Sequence, residues 1–223
     1  MDQRIEKPLR VHLKNVYTCL SLCLGAAAVG AYVHVCTSLL QGNIVTTIFA
    51  VIMLLVLYAT PDTGENEGLR FGYLMGFSFL SGLGTGPLLD YAMFINPGVI
   101  VSAFLGTCVV FACFTLSSLY APNRKFLYLG GVLMSLISTM FWMGMLNLIL
   151  GSRLLFELNL YSGLAVMCGF VLYDTQLIIE KRRRGDCDYI RHTLDLFFDF
   201  IGIFRRLLII FASKEDRNRK RKD

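Results

Sequence analysis

Seven stretches of apolar residues, separated by short polar breaks, account for nearly all of this 223-residue chain. They run over about Val16–Leu40, Ile44–Ala59, Phe71–Phe94, Gly98–Tyr120, Phe126–Leu150, Leu154–Ile179 and Thr193–Ala212. Most approach the ~20 residues that an α-helix needs to cross a bilayer. The breaks carry turn chemistry: Gln41-Gly42-Asn43, TPDTGENEGLR (60–70), Asn96-Pro97, APNRK (121–125) and Gly151–Arg153. The period-2 alternation of a membrane barrel is absent. In lipid every backbone polar group must be satisfied within its own segment, so the stretches are predicted to be helices. The reading is an all-α polytopic membrane helix bundle, with residues 1–15 as a cytosolic N-terminal segment, 16–212 as the bundle and 213–223 as a basic cytosolic tail.

Composition agrees. Hydrophobic residues make up 55% of the chain and charged residues 17%, against ~25% charged in a soluble domain. The polar, basic start MDQRIEKPLRVHLKN precedes an apolar run too long for a signal-peptide core, so the first span is expected to stay as an anchor. The seven cysteines are odd in number, form no CxxC and lie mostly inside apolar runs. Neither a disulfide framework nor a zinc site fits them.

Lysine and arginine give the orientation. With the N-terminus in the cytosol, twelve basic residues fall on cytosolic segments, among them Arg4, Arg70, Arg124 and Lys181–Arg184; only Arg153 falls opposite, up to the sixth span. The last segment strains this scheme, because seven full crossings would carry the basic tail KEDRNRKRKD to the far side. Either it re-enters and returns the tail to the cytosol, as charge bias favours, or it crosses fully while shielded by the other helices. Small residues suggest close packing: Gly72 with Gly76 and Gly82 with Gly86 both form GxxxG. SGLGTGP (81–87) is read as an interruption of the third span.

Chemistry concentrates in FVLYDTQLIIEKRRRGDCDYIRHTLDLFFDFIGIFRR (170–206), where ionisable groups sit inside apolar runs. Such groups are expensive at membrane depth and are functional-site candidates. Asp174 precedes the charged loop by six residues, about 9 Å of helix, and Asp199 follows Arg191 by eight, about 12 Å. The two carboxylates are thus placed to meet at similar depth, with Asp195 one turn from Asp199. Two such groups in low dielectric cannot both ionise cheaply, so the pair would share a proton. With the proton lost, they would form an incomplete Ca²⁺ cage, suited to an ion that must also leave. A salt-bridged lock of Asp199 with Arg205 or Arg206 uses the same residues without an ion. Asp90 stands at the far end of the third span as an acid at the opposite mouth, and Glu157 beside Arg153 reads as a surface pair.

An enzyme is not expected. Tyr173-Asp174 matches the YD of intramembrane aspartyl proteases, but the GxGD of their second aspartate is missing, and Gly84-Thr85-Gly86 is followed by proline. His12, His34 and His192 are scattered and match no metal spacing. No phosphate loop or nucleophile elbow is present. The basic segments suit anionic headgroups rather than nucleic acid.

The blocks GAYVHV (30–35), MGFSFLSGLGTGP (75–87), INPGVIVSAFLGT (95–107), CFTLSSLYAPNRKFLYLGGVLMS (113–135), NLYSGLAVMCGFVLYDTQLIIEK (159–181) and DLFFDFIGIFRRL (195–207) resemble the Bax inhibitor family over nearly the whole chain. The resemblance implies a membrane protein of the endoplasmic reticulum that suppresses cell death, bears on the unfolded protein response and lowers lumenal calcium through a pH-sensitive leak. It implies six spans plus a seventh, central or re-entrant, segment. It also implies an aspartate pair as the pH-sensing gate, falling on Asp174 and Asp199. No cofactor is implied beyond Ca²⁺ and H⁺ as permeant or regulatory ions. Implied partners are the lipid bilayer, Bcl-2-family proteins and sensors of endoplasmic-reticulum stress, with room for oligomers; a non-conducting interaction protein is the competing reading. Bacterial relatives use a basic latch near the cytosolic end of the second span, where LYATPDT carries no arginine.

Overall fold

The computed structural model describes residues 7–37, 40–121 and 125–221. Arg4 and Arg124 of the charge count, and Lys222 of the tail, lie outside them. The described residues form seven α-helices and no strand: α1 (Lys7–Cys36), α2 (Ile44–Ala59), α3 (Glu67–Ile95), α4 (Gly98–Tyr120), α5 (Leu129–Leu150), α6 (Arg153–Arg183) and α7 (Tyr189–Arg219). The chain is an all-α, polytopic membrane protein. Helices α1, α4, α5 and α6 are each long and apolar enough to cross a bilayer, and α2 is a shorter apolar helix. On α5 only Leu133 and Met140 are buried, while residues such as Leu136, Phe141, Trp142 and Leu148 are exposed. An apolar helix uncovered over most of its surface belongs in lipid, not water.

Local signals set the ends. Asn43 caps α2 by accepting the Thr46 amide while the Thr46 hydroxyl accepts the Asn43 amide, a reciprocal capping box. Gly151 ends α5 and Gly185 follows α6, both at positive φ, where a side chain would be strained. Two expectations change. The N-terminal segment is helical from Lys7, because Leu9, His12, Leu13 and Val16 recur at helical spacing and are buried. SGLGTGP does not interrupt α3, which runs unbroken through Pro87.

Residues 1–94 and 182–197 make a first compact unit, residues 95–181 and 198–223 a second; α7 begins in one and ends in the other. In the first unit α1 and α3 touch through glycine. A Cβ on Gly82 would overlap the Ala27 carbonyl, and one on Gly30 the Phe79 carbonyl, whereas Gly72 faces open space. Only the second GxxxG therefore serves close approach. Gly82→Val should force the two backbones apart and cost at least the ~1–3 kcal/mol of an overpacked core. Gly72→Ala should be neutral or gain up to ~1 kcal/mol of helix propensity. Thermal unfolding in detergent compares them, and equal effects would contradict this packing.

In the second unit α4 turns a face of Val99, Ala103, Thr107, Phe111, Thr115 and Ser118 inward. Phe200 of α7 packs edge-on against Phe104 and Phe111, at 6.2 and 5.4 Å between centroids. At one end Gln176 accepts the Phe126 amide at 2.6 Å, and Ser118 donates to the Leu172 carbonyl at 2.7 Å. At the other end α7 finishes beside the starts of α4 and α6: Asn96 donates to Glu215, and Arg217 pairs with Glu157, itself paired with Arg153. Glu157 thus has two arginines.

Helix α7 is one unbroken element of 31 residues, about 46 Å long. Its buried residues, including Leu194, Leu196, Phe197, Ile203 and Leu208, cover one broad face, while Arg191 and Phe198 on the remaining side are exposed. It contains no reversal and continues as helix through the expected tail to Arg219. Cys187, exposed in the α6–α7 loop, and a cysteine placed at Asn218 should therefore react with impermeant thiol reagents from opposite faces of sealed vesicles. Labelling from one face would restore the re-entrant form.

Candidate functional site

Asp174 and Asp199 both fall in the second unit, on α6 and α7. Asp174 lies nine residues from the end of α6 at Arg183 and Asp199 ten from the start of α7 at Tyr189. At 1.5 Å per residue these are about 14 and 15 Å along each helix from its loop end. Asp195 is about 9 Å along α7 by the same rise and belongs to the first unit. Asp199 is buried, at 4% exposure, while Asp174 and Asp195 are half-buried. Arg205 and Arg206 follow on α7, both half-buried. The Arg206 guanidinium reaches α6, lying over Gly163, where any Cβ would overlap it. Hydroxyls stand in the same interior: Thr107, Thr115, Ser118 and Thr175 are all buried. Among the described residues no three or more His, Cys, Asp or Glu side chains cluster to hold a metal ion.

A second polar cluster gathers at one end of the first unit, where α1, α3 and α7 begin and α2 ends. Here the sequence is informative in GDCDY (185–189). Gly185 ends α6, the Asp186 side chain accepts the Asp188 amide at 3.0 Å, and Asp188 caps α7 by accepting the Arg191 amide at 3.0 Å. The other Asp188 oxygen accepts a hydrogen bond from Arg70, at the start of α3. Arg70 also pairs with Asp62 of the α2–α3 loop at 3.4 Å. One buried guanidinium thus ties two loops to the head of α7. Burial alone would raise the Asp188 carboxyl, but the Arg70 hydrogen bond, the Arg191 amide and the charges of Arg70 and His192 together hold it below the usual carboxylate range. Arg70 moves up in return, by its bond to Asp188 acting against burial. Tyr189 is pushed above its ordinary value by burial and by its hydrogen bond to Glu67, so its phenol stays neutral. A cavity of about 240 Å³ opens among Tyr58, Asp62, Arg70, Asp186, Asp188 and Arg191. Arg191 covers the Tyr58 ring at 5.0 Å.

The histidines are not scattered. His12 of α1 and His192 of α7, 180 residues apart in sequence, are hydrogen-bonded from Nε2 to Nδ1 at 2.9 Å, and both are buried. At the opposite end of the first unit His34 accepts the Gly42 amide on Nδ1 at 2.7 Å and meets Asp90 through Nε2 at 3.0 Å. Since Nδ1 accepts, Nε2 is the nitrogen that donates. Asp90 is thus a paired acid, 56% exposed at its side chain. Sequence spacing cannot find either contact, nor the role of Arg70, which counts in the charge bias only as one positive residue.

Comparison with known proteins agrees with the architecture. The family model described as "Inhibitor of apoptosis-promoting Bax1" matches residues 9–216. The chain is 51% identical over 219 residues to a probable Bax inhibitor 1 of Paralichthys olivaceus, spanning 98% of this chain and 92% of that protein. It is 51% identical to Bax inhibitor 1 of Rattus norvegicus and 49% to that of Homo sapiens, each over 211 residues, 95% of this chain and 89% of the relative. On this similarity across nearly its whole length, the chain belongs to the Bax inhibitor 1 family.

Proposed function

We propose that this protein is a proton-controlled calcium leak pathway of the endoplasmic reticulum membrane that opposes apoptosis. The observation that carries the reading is a buried carboxylate, Asp199, on α7, with a second, half-buried carboxylate, Asp174, on α6 in the same unit. Charge so placed is retained where it serves an ion path or a proton relay. Protonation closes the site to a cation by removing its negative charge; deprotonation restores it. The N-terminus and the α6–α7 loop face the cytosol, by the lysine and arginine bias. The pathway moves ions rather than transforming a substrate.

The name of the matching family, an inhibitor of Bax, favours a second reading in which the helices and basic segments act on Bcl-2-type or stress-sensing partners. Purified protein in calcium-loaded liposomes separates the two. The leak reading expects calcium efflux above protein-free liposomes, at a rate that changes with pH. Absence of pH-responsive efflux leaves only the interaction reading.

A further inference from the structure

The His12–His192 contact lies outside the carboxylate pair and joins helices at the two extremes of the chain. The ring planes stand nearly perpendicular, at 82°, with centroids 5.2 Å apart. Exposure is 6% for His12 and none for His192. Beside them Thr193 donates to the Val16 carbonyl at 3.2 Å, so the heads of α1 and α7 are held by two adjacent bonds. His192 lies two turns before Asp199 on α7, and seven residues return to the same helix face.

We propose that His12 and His192 form an acid-released latch between the heads of α1 and α7, regulating the carboxylate site that α7 carries; the regulatory half of this rests on the proton-controlled reading above.

The reason is a proton count. One hydrogen must lie between Nε2 of His12 and Nδ1 of His192, and one of the two nitrogens must keep a lone pair to accept it. A single added proton is tolerated: an imidazolium on either ring still donates to a neutral partner. The second proton leaves two N–H groups pointed at each other in a buried contact, and the bond is lost. The latched state therefore holds at most one added proton, the released state two.

The charged groups around the pair come from several elements. Asp186 of the α6–α7 loop stands 3.7 Å from Nε2 of His192. Arg182 of α6 opposes a charge on His12, while Asp186 and Asp188 favour it. Arg70 of α3 is engaged with Asp188. For His12 burial is the main influence and Arg182 the next, and together they outweigh the two aspartates and lower its pKa. A histidine depressed in the latched state contributes stability above the ordinary histidine value of ~6.5, and that stability is lost as pH falls from there through the depressed value. Release then gains at most about tenfold per pH unit, the limit for one proton.

Hydrogen exchange of the full-length protein in nanodiscs tests this directly, corrected for intrinsic exchange and read over the first two turns of α1 and the first turn of α7. Between about pH 7.5 and about pH 5.5, which bracket histidine titration, wild type should lose protection there by up to about tenfold, with the second-unit helices unchanged. His12→Gln keeps a hydrogen-bonding side chain that does not titrate, so its protection should be independent of pH over the same range. His192→Gln should behave alike and serves if the first variant fails to fold. Protection in wild type that does not respond to pH, or a glutamine variant that responds as wild type does, overturns the latch. The exchange readout needs no calcium flux. A latch that releases in a protein without flux would sink the leak reading and leave the latch standing.

Discussion

Replacing Arg70 with alanine is expected to be the most destabilising change of a charged residue in the first unit. The Arg70 side chain is 5% exposed and the Asp188 side chain 13%, so the alanine variant leaves a nearly buried carboxylate without its cation. Breaking such a pair from one side costs about 3–5 kcal/mol, mostly the penalty of the stranded charge. The lower figure is the better expectation, since Asp188 keeps the Arg191 amide. For a chain of this size that is a fall in melting temperature on the order of 10 °C. Arg70→Lys should recover little, because a single ammonium cannot reach Asp62 and Asp188 in the forked geometry of a guanidinium. Asp188→Asn in the Arg70→Ala background should recover more, since it removes the stranded charge and asparagine still caps a helix. A melting temperature within a degree or two of wild type would show that the pair is merely superficial.

The pH range of that pair differs from that of the histidine latch. Asp188 is held below the usual carboxylate range. Its contribution is complete above the unfolded value of ~3.9 and is lost only as pH falls from there through the depressed folded value. Across the range where histidines titrate, the Arg70–Asp188 tie stays closed. Mild acid therefore acts on α1 and α7 without releasing the α2–α3 loop.

Much of the fold is legible in the sequence because lipid leaves so few alternatives. Apolar runs bounded by Gly, Pro and Asn place α2 and α4 at their observed limits, and Asp174, Asp195 and Asp199 stand out as charges inside such runs. The missed features depend on tertiary contacts. The head of α1 is hidden by Lys7, Arg10 and Lys14, which leave the buried face of Leu9, His12 and Leu13 only four residues apart end to end. Two GxxxG motifs look alike as text, yet only the one facing α1 meets another backbone. GDCDY reads as part of a basic loop until Asp188 is seen to cap α7 and receive Arg70. The end of α2, LYATPDT, carries no basic residue, and Arg70 at the start of α3 lines the cavity beside Tyr58 and Asp62.

The second large effect belongs to the carboxylates. On the leak reading, neutralising Asp199 removes the more buried of the two carboxylates, and with it the proton that the site would bind and release. Asp199→Asn preserves shape and hydrogen bonding, so the helix should remain in place while the titration disappears. Asp174→Asn removes the other half of the same proton-binding unit. On the leak reading the two would act as one titrating group, so their effects should not add: the double variant should show a pH profile no flatter than either single variant. Asp195→Asn, one turn nearer the loop and in the first unit, should leave the profile largely intact.

The most direct measurement is calcium efflux from liposomes across the pH range, for wild type, each single variant and the Asp174→Asn/Asp199→Asn double variant at equal incorporation. The leak reading expects a pH-dependent wild-type rate and a flat profile for Asp199→Asn, for Asp174→Asn and for their combination. A pH response that survives in Asp199→Asn unchanged in size and midpoint would contradict it.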